Sequence, residues 1–432
     1  MANVPVKWFS HLMTGAPQLT HGYGQLVAML DACLVTGFNL KTVQSITRVG
    51  TVATVTFSTA HGYVKDQVIN IYDCAQTEYS GDQRVTSATT NSLTFDVVGT
   101  PVTPGTSSAD SIKCKAAPLG FEIQFSSANR RVYRSTDLTG NGNVLRVDND
   151  APPGWTNQYP TQASVHIARQ ATDVDTLVEY HPFSSVSTSF PTYGWYKWYQ
   201  TTYYFGFTPN SNNNNNSAKP WVLVGDDRSF YFFNAPNANG PNYLTVRLMY
   251  GFGQINSFKP LDQYGTFLFA TENYNSTGGT TPYTYSYGPM SAAFQGINLA
   301  SPGEALLRSY FGTGAGTYAP KVTLATGNRD TPYSTILSGQ STGIVYPNPV
   351  DYSLLLFPSY CGDYSAGALR GVYPGLYAIL NNCGTNVADL SIIDNVSNYA
   401  NRKFLIVSCD NGQGLATDGT SRVAFDITGP WR

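Results

Sequence analysis

Polar and apolar residues alternate strictly in a segment near the start of the chain, residues 52–97. The segment begins VATVTF, breaks at His61-Gly62-Tyr63, and continues as QVINIY and then, after a polar YSGD turn, as RVTSATTNSLTFDV. Because successive side chains of a strand point to opposite faces, this alternation predicts half-buried antiparallel strands. It favours a small module over residues 44–117, either a β-barrel or an immunoglobulin-like sandwich.

The segment before the module has a different spacing. Apolar residues recur every three or four positions between residues 26 and 35, which predicts a helix, and Gly37 supplies its stop. We divide the chain into an N-terminal anchoring segment (1–43), the small module (44–117) and a large β-rich domain of one or two subdomains (118–432). The predicted fold class is mainly β: a short N-terminal helix, a small β-barrel or immunoglobulin-like module, and a larger β-sandwich-rich domain.

Two residues of the module are candidates for a structural turn. His61 is expected to hydrogen-bond within the turn, and Gly62 to adopt a backbone angle that other residues resist. The five histidines form neither HxH nor HExxH, and the six cysteines form no CxxC. The sequence therefore predicts no catalytic residue, no metal site and no cofactor. Cys74 and Cys114 bracket the module; a disulfide between them is the alternative to free thiols.

The composition is that of a β-rich protein with a polar, weakly charged surface. Charged residues make up 12% of the 432 residues and aromatic residues 13%, with 30 tyrosines, whereas ordinary soluble domains are about 25% charged. Such a surface suits packing against copies of itself. A net charge of −2 attracts neither nucleic acid nor an anionic membrane. The chain has no apolar run long enough to span a membrane and no secretory signal at its start.

Several stretches resemble structural proteins of tailed bacteriophages. They are the HGY-type module, GAPQL with LDACLVTGF within residues 15–38, APLGFEIQFSSANRRVYRS over 117–135, and PWVLVGDDRSFYFF over 220–233. The resemblance implies a virion component that is made in the cytoplasm of the host bacterium. It implies as partners copies of the chain itself and other phage tail or capsid proteins, with a host surface glycan as a further candidate.

Three roles fit that resemblance. The favoured one is a non-enzymatic structural component of the tail or adsorption apparatus, such as the baseplate, that acts by symmetric assembly. The first alternative is a head decoration or head-fibre protein. The second is a receptor-binding or glycan-cleaving tailspike. Cleavage would need two carboxylates held at a fixed distance, and the five glutamates are widely spaced.

The aromatic stretch, residues 193–207, has nine Tyr, Trp or Phe residues. Alternation would place one aromatic row inward and leave a second row for a subunit interface or for stacking on sugar rings; a strand pair buried on both faces is the plainer alternative. The candidate interface residues are Tyr193, Trp195, Tyr196, Trp198, Tyr199, Tyr203 and Tyr204.

Acidic pairs and one polar loop complete the candidates for chemistry. Asp173 and Asp175 would share one face of a strand, as an acid/base pair, or lie in an exposed turn. Asp226-Asp227 is predicted to form a hairpin turn between two apolar strands. The run over residues 137–150 has some spacing of a calcium loop, but its Asn-Gly step favours a plain β-turn.

Overall fold

The computed structural model describes most of the first half of the chain and separate strands of the second half. The described residues are 6–97, 112–151, 161–181, 196–200, 218–235, 247–259, 265–272, 303–306, 321–324, 354, 356–363, 368–379, 387–394, 396, 399–409 and 421–432. These residues form three antiparallel sheets, one short helical segment near the N-terminus and a single 3₁₀ turn over Thr77–Tyr79. The predicted fold class, mainly β with a short helix near the N-terminus, is confirmed.

The N-terminal segment contributes strand β1 (Lys7–Ser10) and helix α1 (Gln25–Leu30). The helix continues as a π-helical turn over Asp31–Thr36 and ends at Gly37, whose φ of 74° suits a glycine. Its apolar residues at helical spacing are buried in the main core of the protein. The first described residues therefore belong to the core of the large domain, and the domain boundaries at residues 43 and 117 stay a prediction.

The small module is a seven-stranded antiparallel sheet that bends over its own core. Its strands, numbered in chain order, are β2 (Phe38–Thr42), β3 (Ser45–Val49), β4 (Val52–Thr56), β5 (Val68–Tyr72), β6 (Gly81–Ala88), β7 (Ser92–Asp96) and β8 (Lys113–Ala116). They lie in the order β2-β8-β5-β6-β7-β4-β3. Strand β6 carries a bulge between Val85 and Ser87, which bends a strand. The two edge strands, β2 and β3, follow one another in the chain and therefore lie close together. The bent sheet thus encloses a core of apolar side chains.

The second sheet packs against α1. Its strands are β9 (Phe121–Ser127), β10 (Arg130–Ser135), β11 (Val144–Asp148), β12 (Gln162–Ala171), β13 (Leu177–His181), β14 (Tyr196–Tyr199) and β20 (Thr271–Glu272). The order is β20-β14-β12-β11-β10-β9, and β13 pairs with β12. On the helix side, the Tyr133 hydroxyl donates to Asp31 at 2.7 Å, and Arg131 pairs with the same carboxylate at 3.1 Å.

The third sheet, which we call the large sheet, has thirteen strands. Besides β1, they are β15 (Trp221–Gly225), β16 (Ser229–Asn234), β17 (Leu248–Gln254), β18 (Asn256–Ser257), β19 (Thr266–Phe269), β21 (Gly303–Leu306), β22 (Lys321–Leu324), β23 (Leu356–Asp363), β24 (Ala368–Ile379), β25 (Ile392–Asp394), β26 (Lys403–Cys409) and β27 (Ser421–Asp426). The order is β1-β15-β16-β17-β19-β21-β22-β23-β24-β27-β26-β25. Strand β18, which follows β17, pairs with β24, so the sheet folds back on itself.

Strand β16 shows how the large sheet is buried on both faces. Phe230 and Phe232 lie about 6 Å from Trp198 of the second sheet, at 6.0 and 6.1 Å between ring centroids. Their neighbours Tyr231 and Phe233 point the other way and lie 5.1 and 5.6 Å from Phe425 of β27. All six residues of β16 are buried, because each face meets its own aromatic layer.

Candidate functional site

The two residues of the predicted turn, His61 and Gly62, lie where the small module meets the N-terminal segment. His61 is fully buried; its Nδ1 accepts from the backbone N–H of Tyr63 at 2.9 Å, and its Nε2 lies 3.1 Å from the carbonyl oxygen of Ser92. Burial lowers the pKa of His61, so the neutral ring with a proton on Nε2 fits both contacts. Gly62 has φ of 74°, and a Cβ there would lie 2.3 Å from Oγ1 of Thr14.

One guanidinium group joins three segments that are far apart in the sequence. Arg84, in β6, donates to the carbonyl oxygen of Asp66 at 3.0 Å within the small module. Its NH2 group also donates to the carbonyl oxygens of Val6 at 2.8 Å and Ile427 at 2.6 Å. Val6 precedes β1 and Ile427 follows β27. We call these three contacts the Arg84 clamp, which fastens the small module to both ends of the described chain.

Two ion pairs cross the same boundary as the clamp. Lys7 of β1, only 3% exposed, places its Nζ 2.6 Å from Asp82 of the module. Lys403 of β26 pairs with the carboxylate of Asp66. Burial lowers the pKa of Arg84, because desolvation opposes the charged form. The module is therefore held by partly buried charges, each of which has found a partner.

Only residues 196–200 of the aromatic stretch are among the described residues. Trp198 is fully buried, and its indole N–H donates to the carbonyl oxygen of Phe269 at 2.8 Å. For Trp198 the interface interpretation is wrong, because its ring packs against Phe230 and Tyr250 of the large sheet. Tyr196 and Tyr199 lie in the same strand. The predicted interface residues Tyr193, Trp195, Tyr203 and Tyr204 lie outside the described residues.

The DVD pair lies in a turn, and the strand alternative is wrong. Asp173 accepts from the backbone N–H groups of Asp175 at 2.7 Å and Thr176 at 2.9 Å. The carboxylate of Asp175 pairs with Arg146 at 2.7 Å and with Arg130. Although burial opposes it, these arginines lower the pKa of Asp175. A carboxylate held in this way is a poor proton donor.

The cysteines of the module are free thiols in the structure. Cys114 is buried, and Cys74 packs against the same core cluster. Burial raises the pKa of Cys114 to about 12, which leaves it unreactive at neutral pH. Among the described residues, no group of three or more His, Cys, Asp or Glu side chains is arranged to hold a metal ion.

A polar cleft of about 370 Å³ lies beside the β15–β16 turn of the large sheet. Its walls come from the loop 139–141, the β15–β16 turn, the β17–β18 segment and the last two residues, 431–432. The predicted Asp226-Asp227 hairpin is present here: the backbone N–H of Asp226 donates to the carbonyl oxygen of Ser229 at 2.9 Å. The cleft thus lies between segments that are up to about 290 residues apart in the sequence.

Arginines and aspartates alternate along one side of the cleft. Arg432 pairs with Asp226 at 2.7 Å and Asp137 at 3.1 Å, and also with Asp227. Arg228 donates from Nε to the carboxylate of Asp137 at 2.7 Å. The calcium alternative for the 137–150 run finds no support in these contacts, because the Asp137 oxygens face arginines and the N–H and hydroxyl of Thr139.

The pKa values of two of these aspartates move in opposite directions. Burial raises the pKa of Asp226 to about 6, despite its pairing with Arg432. For Asp137, burial is outweighed by hydrogen bonds from Thr139 and Arg228, which lower the pKa to about 2. Such a split marks the acid and base of some hydrolases. Here, however, one Asp226 oxygen accepts from two backbone N–H groups and the other faces Arg432. Both oxygens of Asp226 are therefore engaged, and neither is placed to donate a proton into the cleft.

Sequence reasoning missed both the clamp and the cleft. The Asp226-Asp227 turn was predicted, but its partner Arg432 lies 206 residues away, and nothing in a local pattern pairs them. Arg84 gave no signal either, because its partners are backbone carbonyls, which every residue has.

Comparison with known proteins leaves the family open. No protein-family model matches the chain, and no curated protein matches it. One solved structure, titled Phage phi92 endosialidase, aligns with 91% of this chain and 70% of its own, at 13% identity and a TM-score of 0.14. A likeness at this level carries no argument about fold or function. None of the helices among the described residues has the length and apolar character needed to cross a membrane.

Proposed function

We propose that this chain is a non-enzymatic structural component of a tailed phage virion, in the tail or adsorption apparatus. It acts by assembling with copies of itself and with neighbouring tail proteins. The resemblance of residues 15–38, 117–135 and 220–233 to phage structural proteins is one support. The weakly charged, tyrosine-rich composition is another, because neighbours with such surfaces repel one another little.

The observation that carries the proposal is the Arg84 clamp. A protein that transmits load inside a particle needs domains that do not shift against each other, whereas many enzymes depend on parts that move. Here one side chain fastens the module to Val6, before β1, and to Ile427, after β27, near the two ends of the described chain. Two ion pairs reinforce the same boundary. The small module is therefore tied to the large sheet by several polar contacts at one boundary.

The carboxylates favour the same conclusion. The Asp175 group is held by two arginines, and the Asp226 group by Arg432 and two backbone N–H groups. A glycosidase needs one carboxylic acid that can hand its proton to the leaving oxygen. These two acidic groups serve as structural links instead.

The test is to locate the chain in particles. An antibody raised against the purified chain is expected to label virions released from the bacterium that carries the gene, at the tail in negative-stain images. Labelling of the head would move the proposal to the head-decoration alternative, and unlabelled particles would contradict it. The purified chain is also expected to release no reducing sugar from host envelope polysaccharide. Release that is lost in Asp226→Asn or Asp175→Asn would establish the cleaving tailspike instead.

A further inference from the structure

The segment that follows β27, residues 427–432, contacts residues from all three sheets. It forms neither a helix nor a strand, so single hydrogen bonds and side-chain contacts hold it in place. It is nevertheless well covered, since Ile427 is fully buried and Trp431 is only 6% exposed. We call residues 427–432 the strap.

The start of the strap lies at the boundary with the small module. The carbonyl oxygen of Ile427 accepts from Arg84 of the module at 2.6 Å. The backbone N–H of Ile427 donates to the carbonyl oxygen of Lys403 at 2.9 Å, and the N–H of Lys403 donates to Oγ1 of Thr428 at 2.7 Å. Lys403 in turn pairs with Asp66 of the module. This end of the strap is therefore part of the contact between the module and the large sheet.

Trp431 anchors the strap on the large sheet. Its ring lies over Gly375 of β24, so closely that a Cβ at that position would be 2.0 Å from Cε2 of the ring. The indole N–H donates to the carbonyl oxygen of Asp426 at 2.6 Å, and the Trp431 carbonyl oxygen accepts from the Asn256 side chain at 2.6 Å. Its ring centroid is 5.9 Å from that of Tyr231. Only a glycine at position 375 leaves room for this ring.

Arg432 joins the strap to the second sheet. Its guanidinium group pairs with Asp226 at 2.7 Å and with Asp227, both in the β15–β16 turn. It also pairs at 3.1 Å with Asp137, which lies between β10 and β11 of the second sheet. The Arg432 side chain is 27% exposed, so salt screens these pairs less than it screens pairs on an open surface.

The groups that hold the strap come from different sheets. Arg84 belongs to the module, Gly375 and Asp226 to the large sheet, and Asp137 to the second sheet. These groups are far apart in the sequence, so all the contacts of the strap form only when the three sheets are in their final places. We propose that the strap is a closing device, whose docking through Trp431 couples the small module to the rest of the protein. Release of Trp431 then loosens the module boundary at the other end of the strap.

The test is hydrogen exchange of the purified full chain, with mass spectrometry of peptides from the module boundary. Two backbone N–H groups there are hydrogen-bonded inside the module, those of Asp66 at 2.8 Å and Val85 at 2.9 Å. In Trp431→Ala the strap loses its anchor, and Arg84 loses one of its three carbonyl partners. Exchange of the two boundary amides is expected to become about tenfold faster, the effect of one hydrogen bond to a charged group.

A first control separates release of the strap from a general loss of stability. Phe232→Ala also removes a buried ring from the large sheet, but on the opposite face, where Phe232 packs against Trp198. It leaves the strap in place. The tenfold difference is therefore expected between Trp431→Ala and Phe232→Ala as well as between Trp431→Ala and the unchanged protein.

A second pair of variants displaces Trp431 without changing the strap. Gly375→Ala places a methyl group where the Trp431 ring lies, and it is expected to speed exchange of the boundary amides as Trp431→Ala does. Its control is Gly142→Ala. Both glycines have positive φ, 66° and 73°, but a Cβ on Gly142 meets nothing within 4 Å. The control thus carries the backbone strain alone.

Three outcomes would overturn the proposal. They are equal exchange of the boundary amides in Trp431→Ala and Phe232→Ala, equal exchange in the two glycine variants, or faster exchange confined to the peptides around Trp431 itself. If Trp431→Ala does not fold, Trp431→Phe keeps a ring on Gly375 but loses the indole N–H, and a smaller shift in the same amides is expected. None of these outcomes touches the labelling of particles, so the failure of one proposal is distinguishable from the failure of the other.

Discussion

The small module and the large sheet are both antiparallel, but they bury their strands differently. In β4 of the module buried positions alternate with more exposed ones, whereas every residue of β16 is buried. The module has one face on its core and one towards solvent. Strand β16 lies between the Trp198 layer of the second sheet and the Phe425 layer of β27. An alternating pattern thus identifies a strand with one covered face, and a continuous apolar run identifies a strand with two.

The two regions also differ in how they are held. The large sheet relies on aromatic packing, and the module is fastened to it through the Arg84 clamp and two ion pairs. Packing of this kind contains no titrating group and responds little to pH, while charged contacts respond to pH and are screened by salt. The comparison predicts which substitutions damage one region, which separate the two, and which leave both folded.

The largest effect is expected from Trp198→Ala. Trp198 is fully buried between β16 and Tyr250, at 5.9 Å between ring centroids, and its removal leaves a cavity and an unpaired carbonyl of Phe269. The free energy of unfolding is expected to fall by about 3–5 kcal/mol, as measured by urea denaturation. Phe95→Ala, in the module core, should destabilise the module to a comparable degree. A change below about 1 kcal/mol for Trp198→Ala would contradict its place in the core.

Arg84→Met comes next and separates the two regions. It removes three hydrogen bonds to carbonyl oxygens, and the expected loss is about 3 kcal/mol. Because the module loses its link to the segments near both ends of the described chain, we expect two urea transitions for this variant and one for the unchanged protein.

The control for Arg84→Met is Arg134→Met. Arg134 pairs with Glu122 inside the second sheet, where both side chains are about 40% exposed, so its loss should cost about 1 kcal/mol or less. A single unchanged transition in Arg84→Met would show that the clamp does not couple the regions.

Local sequence patterns predicted the individual strands, helix and turn better than they predicted which strands pair with each other. The strands of the module, the helix before Gly37 and the Asp226-Asp227 turn all follow from alternation, helical spacing and turn residues. The pairing of β1 with β15 does not, since the partners are more than 200 residues apart and any apolar strand would fit.

The candidate sites were harder to predict for the same reason. Arg84 binds backbone carbonyls, which no side-chain pattern announces. The cleft brings together polar residues that are individually ordinary, and only the fold makes them neighbours. In the aromatic stretch, alternation alone does not say which row faces inward, and Trp198 had to be assigned by its contacts.

The third prediction contrasts the carboxylate cluster with the clamp by changing pH. The pKa of Asp226 is raised to about 6, above its usual range near 3.9, so folding favours its neutral form. That contribution is fully present below about pH 4 and is lost as the pH rises through 6. Asp226→Asn keeps the acceptor for the two backbone N–H groups and cannot ionise. Relative to this variant, the unchanged protein is expected to lose about 1–3 kcal/mol of unfolding free energy between pH 4 and 7.

Asp137→Asn should show the opposite sign. The pKa of Asp137 is lowered to about 2, so its stabilising contribution is present above about pH 4 and is lost as the pH falls towards 2. Urea denaturation of both variants between pH 3 and 8 checks the pair. Parallel curves for Asp226→Asn and the unchanged protein would mean that Asp226 ionises normally in the folded state.

The smallest effect is expected from two glycines at different distances from the large domain. Gly62 and Gly50 both have positive φ, 74° and 60°, so alanine costs about 1 kcal/mol of backbone strain at either position. A Cβ on Gly62 would also lie 2.3 Å from the Thr14 hydroxyl oxygen and 2.5 Å from its Cβ, while a Cβ on Gly50 meets nothing within 4 Å. Gly62→Ala is therefore expected to cost about 1–2 kcal/mol more than Gly50→Ala in urea denaturation. The double variant Gly62→Ala with Thr14→Gly should recover most of that difference, because the excess comes from the contact between module and N-terminal segment; equal losses for the two single variants would show that this contact is loose.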